Sequence, residues 1–134
     1  MTSPTKQTIS GGQAAVEALR NEKTEYVFGL IGSATKEMFD ALYDADDIKF
    51  IGIHDERNGT HMADGYARAS GKAGVVLAGQ NGPGATNLVT GLAQAKAAYS
   101  PVVSTAGALC SEPVYRDEFQ EADQQALVAS LPKK

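Results

Sequence analysis

The sequence has a single cysteine, Cys110, and no tryptophan. One cysteine cannot form an internal disulfide, and no cysteine cluster suggests a zinc site. No apolar stretch approaches the roughly 20 residues that a membrane span needs, and the first residues, MTSPTKQTISGG, lack the apolar core of a signal peptide. Basic residues are fewer than acidic ones, 12 against 16, and the net charge of −4 argues against nucleic acid or an anionic membrane as the main partner. We therefore expect a reducing, cytoplasmic setting.

The length of 134 residues suits one domain with its own hydrophobic core but not two. With 43% hydrophobic residues, 14 glycines and 5 prolines, the composition is typical of a globular protein. We expect residues 1–9 to form a flexible N-terminus and residues 10–134 to form the domain. No internal repeat or linker interrupts it.

Short apolar runs alternate with helical patterns along the whole chain. Strands are predicted at 26–32, 50–53, 75–78 and 101–106, and helices at 10–23, 35–43, 62–69, 86–99 and 119–130. Ser33 or Thr35 is the predicted cap of the second helix. This alternation predicts an α/β fold, a three-layer domain in which helices flank a mainly parallel central sheet. We expect the strand at 50–53 to be central and buried on both faces, and the strand at 101–106 to be buried as well.

Glu56 follows the strand at 50–53 directly, at the edge of the sheet where ligands of open α/β folds bind. The strand at 75–78 ends at the same edge, so the two strand ends should lie close together. By itself, a carboxyl group after a strand is more often a helix-starting or surface residue than a catalyst. The neighbouring Asp55 fits a solvated acid. His54 and His61 fit surface or packing positions, although either could carry protons.

A glycine-rich loop, Gly82-Pro83-Gly84-Ala85-Thr86-Asn87, follows the strand at 75–78 and precedes a helix. It superficially matches the glycine fingerprint of dinucleotide-binding folds, but Asn87 occupies the third glycine position. No Gly-Lys-Ser/Thr follows, which excludes a Walker loop. A tight turn that needs glycine only for its backbone shape is an equally good interpretation.

The combination of these stretches is more specific than either one. The run from Glu56 to Gly71, ERNGTHMADGYARASG, followed by Gly82 to Leu88, GPGATNL, resembles the pyrimidine-binding (PYR) domain of thiamine-diphosphate enzymes of the acetolactate synthase type. The resemblance runs from about residue 11 to residue 125. It includes VFGLIG at 27–32, similar to the first strand and glycine turn of the family, and FQEAD at 119–123, similar to its Phe-Gln-Glu segment.

Two departures bear on the substrate subgroup. Ile31 stands where many members of the family carry proline, and Asp55 replaces the histidine that commonly precedes the glutamate. Ile-Gly-Ser at 31–33 together with Gln-Asn-Gly-Pro-Gly at 80–84 is most similar to the sulfoacetaldehyde acetyltransferase-like members. The substrate subgroup therefore stays open.

The resemblance implies roles for single residues. Glu56 would hydrogen-bond N1′ of the aminopyrimidine of thiamine diphosphate and so activate the cofactor for the decarboxylation of a 2-keto acid. A carboxyl group held among apolar groups suits this task, because it can share a proton with the ring. The remaining residues implied near the cofactor are Gly32, Gly82, Pro83, Gly84 and Asn87, and those implied to face the substrate are Phe119 and Gln120. For Phe119, simple core packing is the alternative.

The chain lacks the Gly-Asp-Gly motif and downstream asparagine with which the family's diphosphate-binding (PP) domain holds Mg²⁺. It also stops shortly after the Phe-Gln-Glu segment, where the family's PYR domain usually continues. The resemblance therefore implies half an active site that is inactive alone, with no metal ligands of its own. A partner PP domain, in another chain or a missing segment, would supply Mg²⁺, and the chain would form a homodimer or higher oligomer.

Two other functions stay open. A PYR-like module without catalysis would use the same fold only to associate with itself or with another chain. A dinucleotide-binding domain would need an acidic ribose ligand about 20 residues beyond the glycine loop, where Ser104 and Thr105 stand instead. We rank the dinucleotide interpretation last.

Overall fold

The computed structural model describes residues 8–109 and 116–131. Cys110, and residues 1–7 of the predicted flexible N-terminus, lie outside the described residues. The helices are α1 (Gly11–Asn21), α2 (Lys36–Tyr43), α3 (Glu56–Ser70), α4 (Pro83–Ala97) and α5 (Gln124–Val128), with a 3-10 turn (Ser33–Thr35) before α2. The strands are β1 (Tyr26–Gly29), β2 (Lys49–Gly52), β3 (Gly74–Leu77) and β4 (Val102–Thr105).

The four described strands form one parallel sheet in the order β2-β1-β3-β4. In the register of the sheet, Phe28 pairs with Ile51 on one side and with Val76 on the other. One hydrophobic core lies between the sheet and α1 and α2, and it includes Val16 and Val27. The other core lies between the opposite face of the sheet and α3 and α4, where Ala63 and Leu88 pack. The α/β fold with three layers is therefore confirmed.

Burial differs sharply between the inner and the outer strands. Every residue of β3 is buried, because β3 has a strand on each side and helices on both faces. The prediction of a central, doubly buried strand at 50–53 is wrong, because β2 is an edge strand whose end residues Lys49 and Gly52 are exposed. The predicted burial of the strand at 101–106 is also wrong: β4 is the other edge, and Val103 is 47% exposed.

Local hydrogen bonds explain where the helices begin and end. Ser10 caps α1 in a capping box with Gln13, each side chain accepting a hydrogen bond from the backbone N–H of the other residue. Asp55 caps α3 by accepting from the backbone N–H of Arg57, so that helix begins at Glu56 and not near residue 62. It ends at Gly71, whose left-handed φ of 72° suits glycine.

Two other expectations need correction. The side chain of Thr35 does not cap α2; its hydroxyl instead donates to the carbonyl oxygens of Ala78 and Gly79, tying the start of α2 to the end of β3. The helix predicted at 119–130 is only α5, because Asp123 caps a helix that begins at Gln124, and Phe119 and Gln120 lie in a turn before it. Among the described residues, no helix is long and apolar enough to cross a membrane.

Candidate functional site

The loops that follow β1 and β3 meet at the carboxyl edge of the sheet. From β1 the chain continues through α2 on one face, and from β3 it continues through α4 on the other face. Neighbouring strands whose connections diverge in this way form the crevice in which α/β folds bind ligands. Here the two loop backbones touch: a Cβ at Gly32 would lie 1.9 Å from the carbonyl oxygen of Gly79. Only glycine at position 32 allows this approach.

Glu56 lies at this edge as the first residue of α3, and it is only 3% exposed. Its Oε1 accepts a hydrogen bond from the backbone N–H of Gly79 at 3.3 Å, and its Oε2 accepts one from the side-chain amide of Asn87 at 3.1 Å. The ion pairs formed by the described residues do not include Glu56. A carboxyl group buried without a cation is costly unless its oxygens are hydrogen-bonded, and a carboxylate can accept about four such bonds. Glu56 therefore has accepting capacity left.

The packing of α3 against α4 sets the distance between Glu56 and Asn87. One turn further along these helices, Gly91 contacts Thr60 so closely that a Cβ at position 91 would lie 2.4 Å from Thr60 Cβ. The Thr60 side chain is fully buried, and its hydroxyl donates to the carbonyl oxygen of Glu56 at 2.8 Å. A Cβ at Gly84 would lie 3.0 Å from Glu56 Oε1, so glycine there keeps the carboxyl oxygen uncrowded.

The neighbouring acid, Asp55, has a different role. The backbone N–H of Arg57, and then its guanidinium, hold the pKa of Asp55 below its usual value. Asp55 therefore stays ionised at the N-terminus of α3, where negative charge is favourable. His54 and His61 are both exposed. Of the four polar residues considered in this region, only Glu56 is buried.

Gly82 and Pro83 form the junction between the glycine loop and α4. Gly82 has a φ of 42°, and a Cβ there would lie 1.9 Å from the carbonyl oxygen of Gln120. The space at Gly82 is thus filled by backbone of the same chain. Pro83 is the first residue of α4, where its fixed φ is favourable.

Phe119 and Gln120 lie in a turn that contacts the loop after β3. Phe119 is 77% exposed, so the alternative that it packs in the core is wrong. The Gln120 side chain accepts a hydrogen bond from Gln80 Nε2 at 2.6 Å, and Gln80 Oε1 in turn accepts one from Ser33 Oγ at 2.9 Å. A groove of about 730 Å³ opens beside this network, lined in part by Ser33, Gln80 and Phe119. Glu56 is not among the residues that line it.

Gly79 had no predicted role, and Gln80 and Asn81 were singled out only as part of the resemblance. Gly79 donates to Glu56 through its backbone, which no side-chain pattern reveals. Asn81 is 3% exposed and donates to the carbonyl oxygens of both Phe119 and Gln120, each at 3.2 Å. One signal was available: two amide side chains that follow a buried apolar strand closely.

Comparison with known proteins gives the family of the chain. Residues 9–127 match the family described as "Thiamine pyrophosphate enzyme, N-terminal TPP binding domain". The chain belongs to this family. Its resemblance to PYR domains is thereby confirmed, and the family implies thiamine diphosphate (thiamine pyrophosphate, TPP) as the cofactor.

The curated relatives of this TPP-binding domain include large and catalytic subunits of acetolactate synthase. A probable large subunit from Methanococcus aeolicus is 44% identical over 125 residues, covering 93% of this chain and 20% of the relative. The large subunit from Haemophilus influenzae is 43% identical over 125 residues, covering 93% of this chain and 22% of the relative. The mitochondrial catalytic subunit from Saccharomyces cerevisiae is 41% identical over 125 residues, covering 93% of this chain and 18% of the relative. The chain thus spans about a fifth of the length of these relatives.

The donor and acceptor groups of the TPP-binding domain fit the aminopyrimidine end of the cofactor. A buried carboxyl group with free lone pairs can accept a hydrogen bond from a protonated ring nitrogen, and the glycines around it bring backbone, rather than side chains, to the edge of the sheet. No group of three or more His, Cys, Asp or Glu side chains that could hold a metal ion occurs in residues 8–109 and 116–131.

Proposed function

We propose that this TPP-binding domain binds the aminopyrimidine of thiamine diphosphate and supplies Glu56 as the activating carboxyl group. One observation carries the proposal: Glu56 is 3% exposed at the carboxyl edge of the sheet, and neutral donors hold it there. The Gly79 N–H and the Asn87 amide fix the orientation of the carboxyl group without neutralising it. The family match supports the choice of cofactor.

Burial suits Glu56 to this role. The carboxyl group would hydrogen-bond ring nitrogen N1′ and share a proton with it, because little water reaches the buried oxygens to compete. When bound, the cofactor supplies a thiazolium ring that accepts the electron pair released when a 2-keto acid loses CO₂. Gly84 would let backbone approach the pyrimidine beside Glu56, while Gly32 and Gly82, where a Cβ would meet the carbonyl oxygens of Gly79 and Gln120, would shape the loops near it. Pro83 and Asn87 would lie near it on the first turns of α4. Phe119 and Gln120 would face the substrate.

We further propose that the domain is inactive by itself. Its carboxyl and amide groups can hold a pyrimidine, whereas a diphosphate with Mg²⁺ needs a second set of ligands that a PP domain would supply. The names of the relatives favour an acetolactate synthase-like protein. For the assembled enzyme we propose a carboligase, a transferase or lyase that acts on 2-keto acids in the cytoplasm. The exposed Ile31 and Phe119, 69% and 77% accessible, support an association surface at the same edge, in a homodimer or with the PP domain.

The same exposed side chains also favour a second candidate, a PYR-like module that associates without catalysis. Exposed apolar groups at an edge indicate a contact surface whether or not a cofactor lies beneath it. The two candidates differ in one respect: only the first requires binding of thiamine diphosphate that depends on Glu56.

Calorimetry can distinguish these two candidate functions. Thiamine diphosphate with Mg²⁺ is titrated into the purified chain, and the titration is repeated after addition of a PP domain from a related enzyme. The Glu56→Gln variant is measured beside Glu22→Gln, an isosteric change of an exposed residue after α1. We expect heat only in the presence of the PP domain, lost in Glu56→Gln and kept in Glu22→Gln. The absence of heat in every mixture would instead support the association module, and undiminished binding by Glu56→Gln would refute the role of Glu56.

A further inference from the structure

The turn that carries Phe119 and Gln120 is fastened to the loop after β3 by side chains of that loop. The buried amide of Asn81 donates to both carbonyl oxygens of the turn, at 3.2 Å each. Gln80 adds a side-chain hydrogen bond to Gln120 at 2.6 Å. The turn lies outside regular secondary structure, so these contacts, rather than a helix or strand, define its position.

The backbone of the turn is strained in a way that requires such contacts. Gln120 has a φ of 60°, in the left-handed region that side chains other than asparagine and aspartate rarely occupy. Strain of this kind persists only where the surrounding structure holds it. The carbonyl oxygen of Gln120 also fits against Gly82, where a Cβ would lie 1.9 Å away. The turn and the loop therefore match in shape as well as in hydrogen bonding.

The loop that holds the turn also leads to Glu56. Asn81 is followed by Gly82 and Pro83, and the first turns of α4 then present Gly84 and Asn87 to the carboxyl group. A single segment, residues 79–87, thus contacts Glu56 at both of its ends and the turn in its middle. The ring of Phe119, which is 77% exposed, is thereby placed at the same edge as Glu56.

We propose that Asn81 is a positioning residue, whose buried amide holds the turn of Phe119 and Gln120 at the site beside Glu56. The amide is suited to this task because it can donate two hydrogen bonds, one to each carbonyl oxygen. Gln80 assists from the more exposed side. The hydrogen bonds between Asn81 and the turn are observed in this chain, whereas their importance for the reaction rests on the proposed function.

Hydrogen exchange measured by mass spectrometry tests directly whether Asn81 keeps the turn at 117–122 in place. The variants are Asn81→Ala and the isosteric Asn81→Asp, which keeps the shape and removes the amide donors. Circular dichroism shows whether each variant is folded. Because two partly buried hydrogen bonds are lost, we expect opening of the turn at 117–122 to increase by about tenfold or more. Exchange in β1, residues 26–29, should not change.

Two results would overturn the proposal. Unchanged exchange at 117–122 in a folded variant would mean that other contacts hold the turn. An equal increase in the turn and in β1 would mean that Asn81 stabilises the whole domain and does not position the turn. If Asn81→Ala fails to fold, Asn81→Asp and the partly exposed Gln80→Ala, which removes only the bond to Gln120, still test the hold.

A second readout links the turn to the cofactor. The chain has no tryptophan, so Phe119→Trp introduces a single fluorescent probe on the turn, and Tyr43→Trp places a matched probe at the far end of α2 on an exposed residue. In the assembly with a PP domain, thiamine diphosphate with Mg²⁺ should change the fluorescence of the Phe119→Trp variant but not that of the Tyr43→Trp variant.

Combining Phe119→Trp with Asn81→Ala should abolish this fluorescence change while calorimetric binding through Glu56 remains. An unaltered response in the combined variant would overturn the link between the turn and the cofactor. If the protein with Asn81 intact does not bind thiamine diphosphate, the proposed function is refuted. The positioning role of Asn81 would not be affected, because the exchange experiment contains no cofactor.

Discussion

Replacing Gly91 by alanine should separate α3 from α4 and weaken the hold on Glu56. A Cβ at Gly91 would lie 2.4 Å from Thr60 Cβ and 2.7 Å from Thr60 Cγ2. Thr60 is fully buried and its hydroxyl is bonded to the carbonyl oxygen of Glu56, so its side chain cannot rotate away without cost. The helices must move apart instead. Because Glu56 and Asn87 lie one turn earlier on the same two helices, their 3.1 Å contact should lengthen.

The magnitude follows from two opposing effects. Overpacking a core typically costs about 1–3 kcal/mol, whereas alanine is about 1 kcal/mol more favourable than glycine inside a helix. Gly65 provides a matched control, because it lies inside α3 and a Cβ there would meet no heavy atom within 4 Å. Gly65→Ala should therefore stabilise the domain by about 1 kcal/mol. Since both variants gain the same helix propensity, the difference between them, about 1–3 kcal/mol, is the steric cost alone.

Thermal unfolding followed by circular dichroism measures this difference. For a domain of this size, 1 kcal/mol corresponds to roughly 3–5 °C in the melting temperature, so Gly91→Ala should melt at least about 3 °C below Gly65→Ala. The calorimetric titration with a PP domain should also show weaker binding of thiamine diphosphate for Gly91→Ala only. Equal melting temperatures for the two variants would refute the argument that glycine at 91 is required by the helix contact.

Two further predictions concern stability. The Arg68 guanidinium, which bonds the buried Asp64 at 2.7 Å, holds the pKa of Asp64 below its usual value. A depressed pKa in the folded state means that this stabilisation is present above the unfolded pKa and is lost as the pH falls through the folded one; Asp64→Asn should therefore unfold with a shallower acid dependence in a pH series of melting temperatures. Ser10→Ala removes one half of the capping box with Gln13 and should lower the free energy of unfolding by about 1 kcal/mol in a urea titration, a loss that Ser10→Thr should largely restore.

Sequence patterns predicted the succession of strands and helices because each element carries its own periodicity. Burial was predicted less well, since it depends on position in the sheet. The runs at 50–53 and 101–106 are apolar enough for inner strands, yet β2 and β4 are the edges of the described sheet. The order of strands is set by long-range packing that an apolar run does not encode. The helix predicted from 119 failed because Gln120 adopts a left-handed conformation that an α-helix does not contain.

Some features of the candidate site could likewise be predicted from the sequence, and others depend on long-range packing. That Glu56 and the glycine loop would share an edge followed from parallel strands, and the resemblance supplied their chemistry. The partners of Glu56 could not be predicted, because one is a backbone N–H of Gly79 and the other depends on the crossing of α3 and α4. Asn81 was missed for a related reason: its importance lies in carbonyl groups of a turn almost 40 residues further along the chain.

The contact between Gly32 and Gly79 determines which positions at this edge of the sheet can accept a different side chain and which cannot. Any side chain at position 32 would push the two loops apart, and a Cβ at Gly79 would lie 2.3 Å from the carbonyl oxygen of Leu30. The residues beside the contact have no such backbone restriction: Ile31 is 69% exposed, and the partly exposed Gln80 is held by side-chain hydrogen bonds to Ser33 and Gln120. Substitutions at these two flanking positions can change the shape and polarity of the surface while the backbone around Glu56 stays in place. Under the proposed function, substrate selectivity could therefore change at these two positions without moving Glu56.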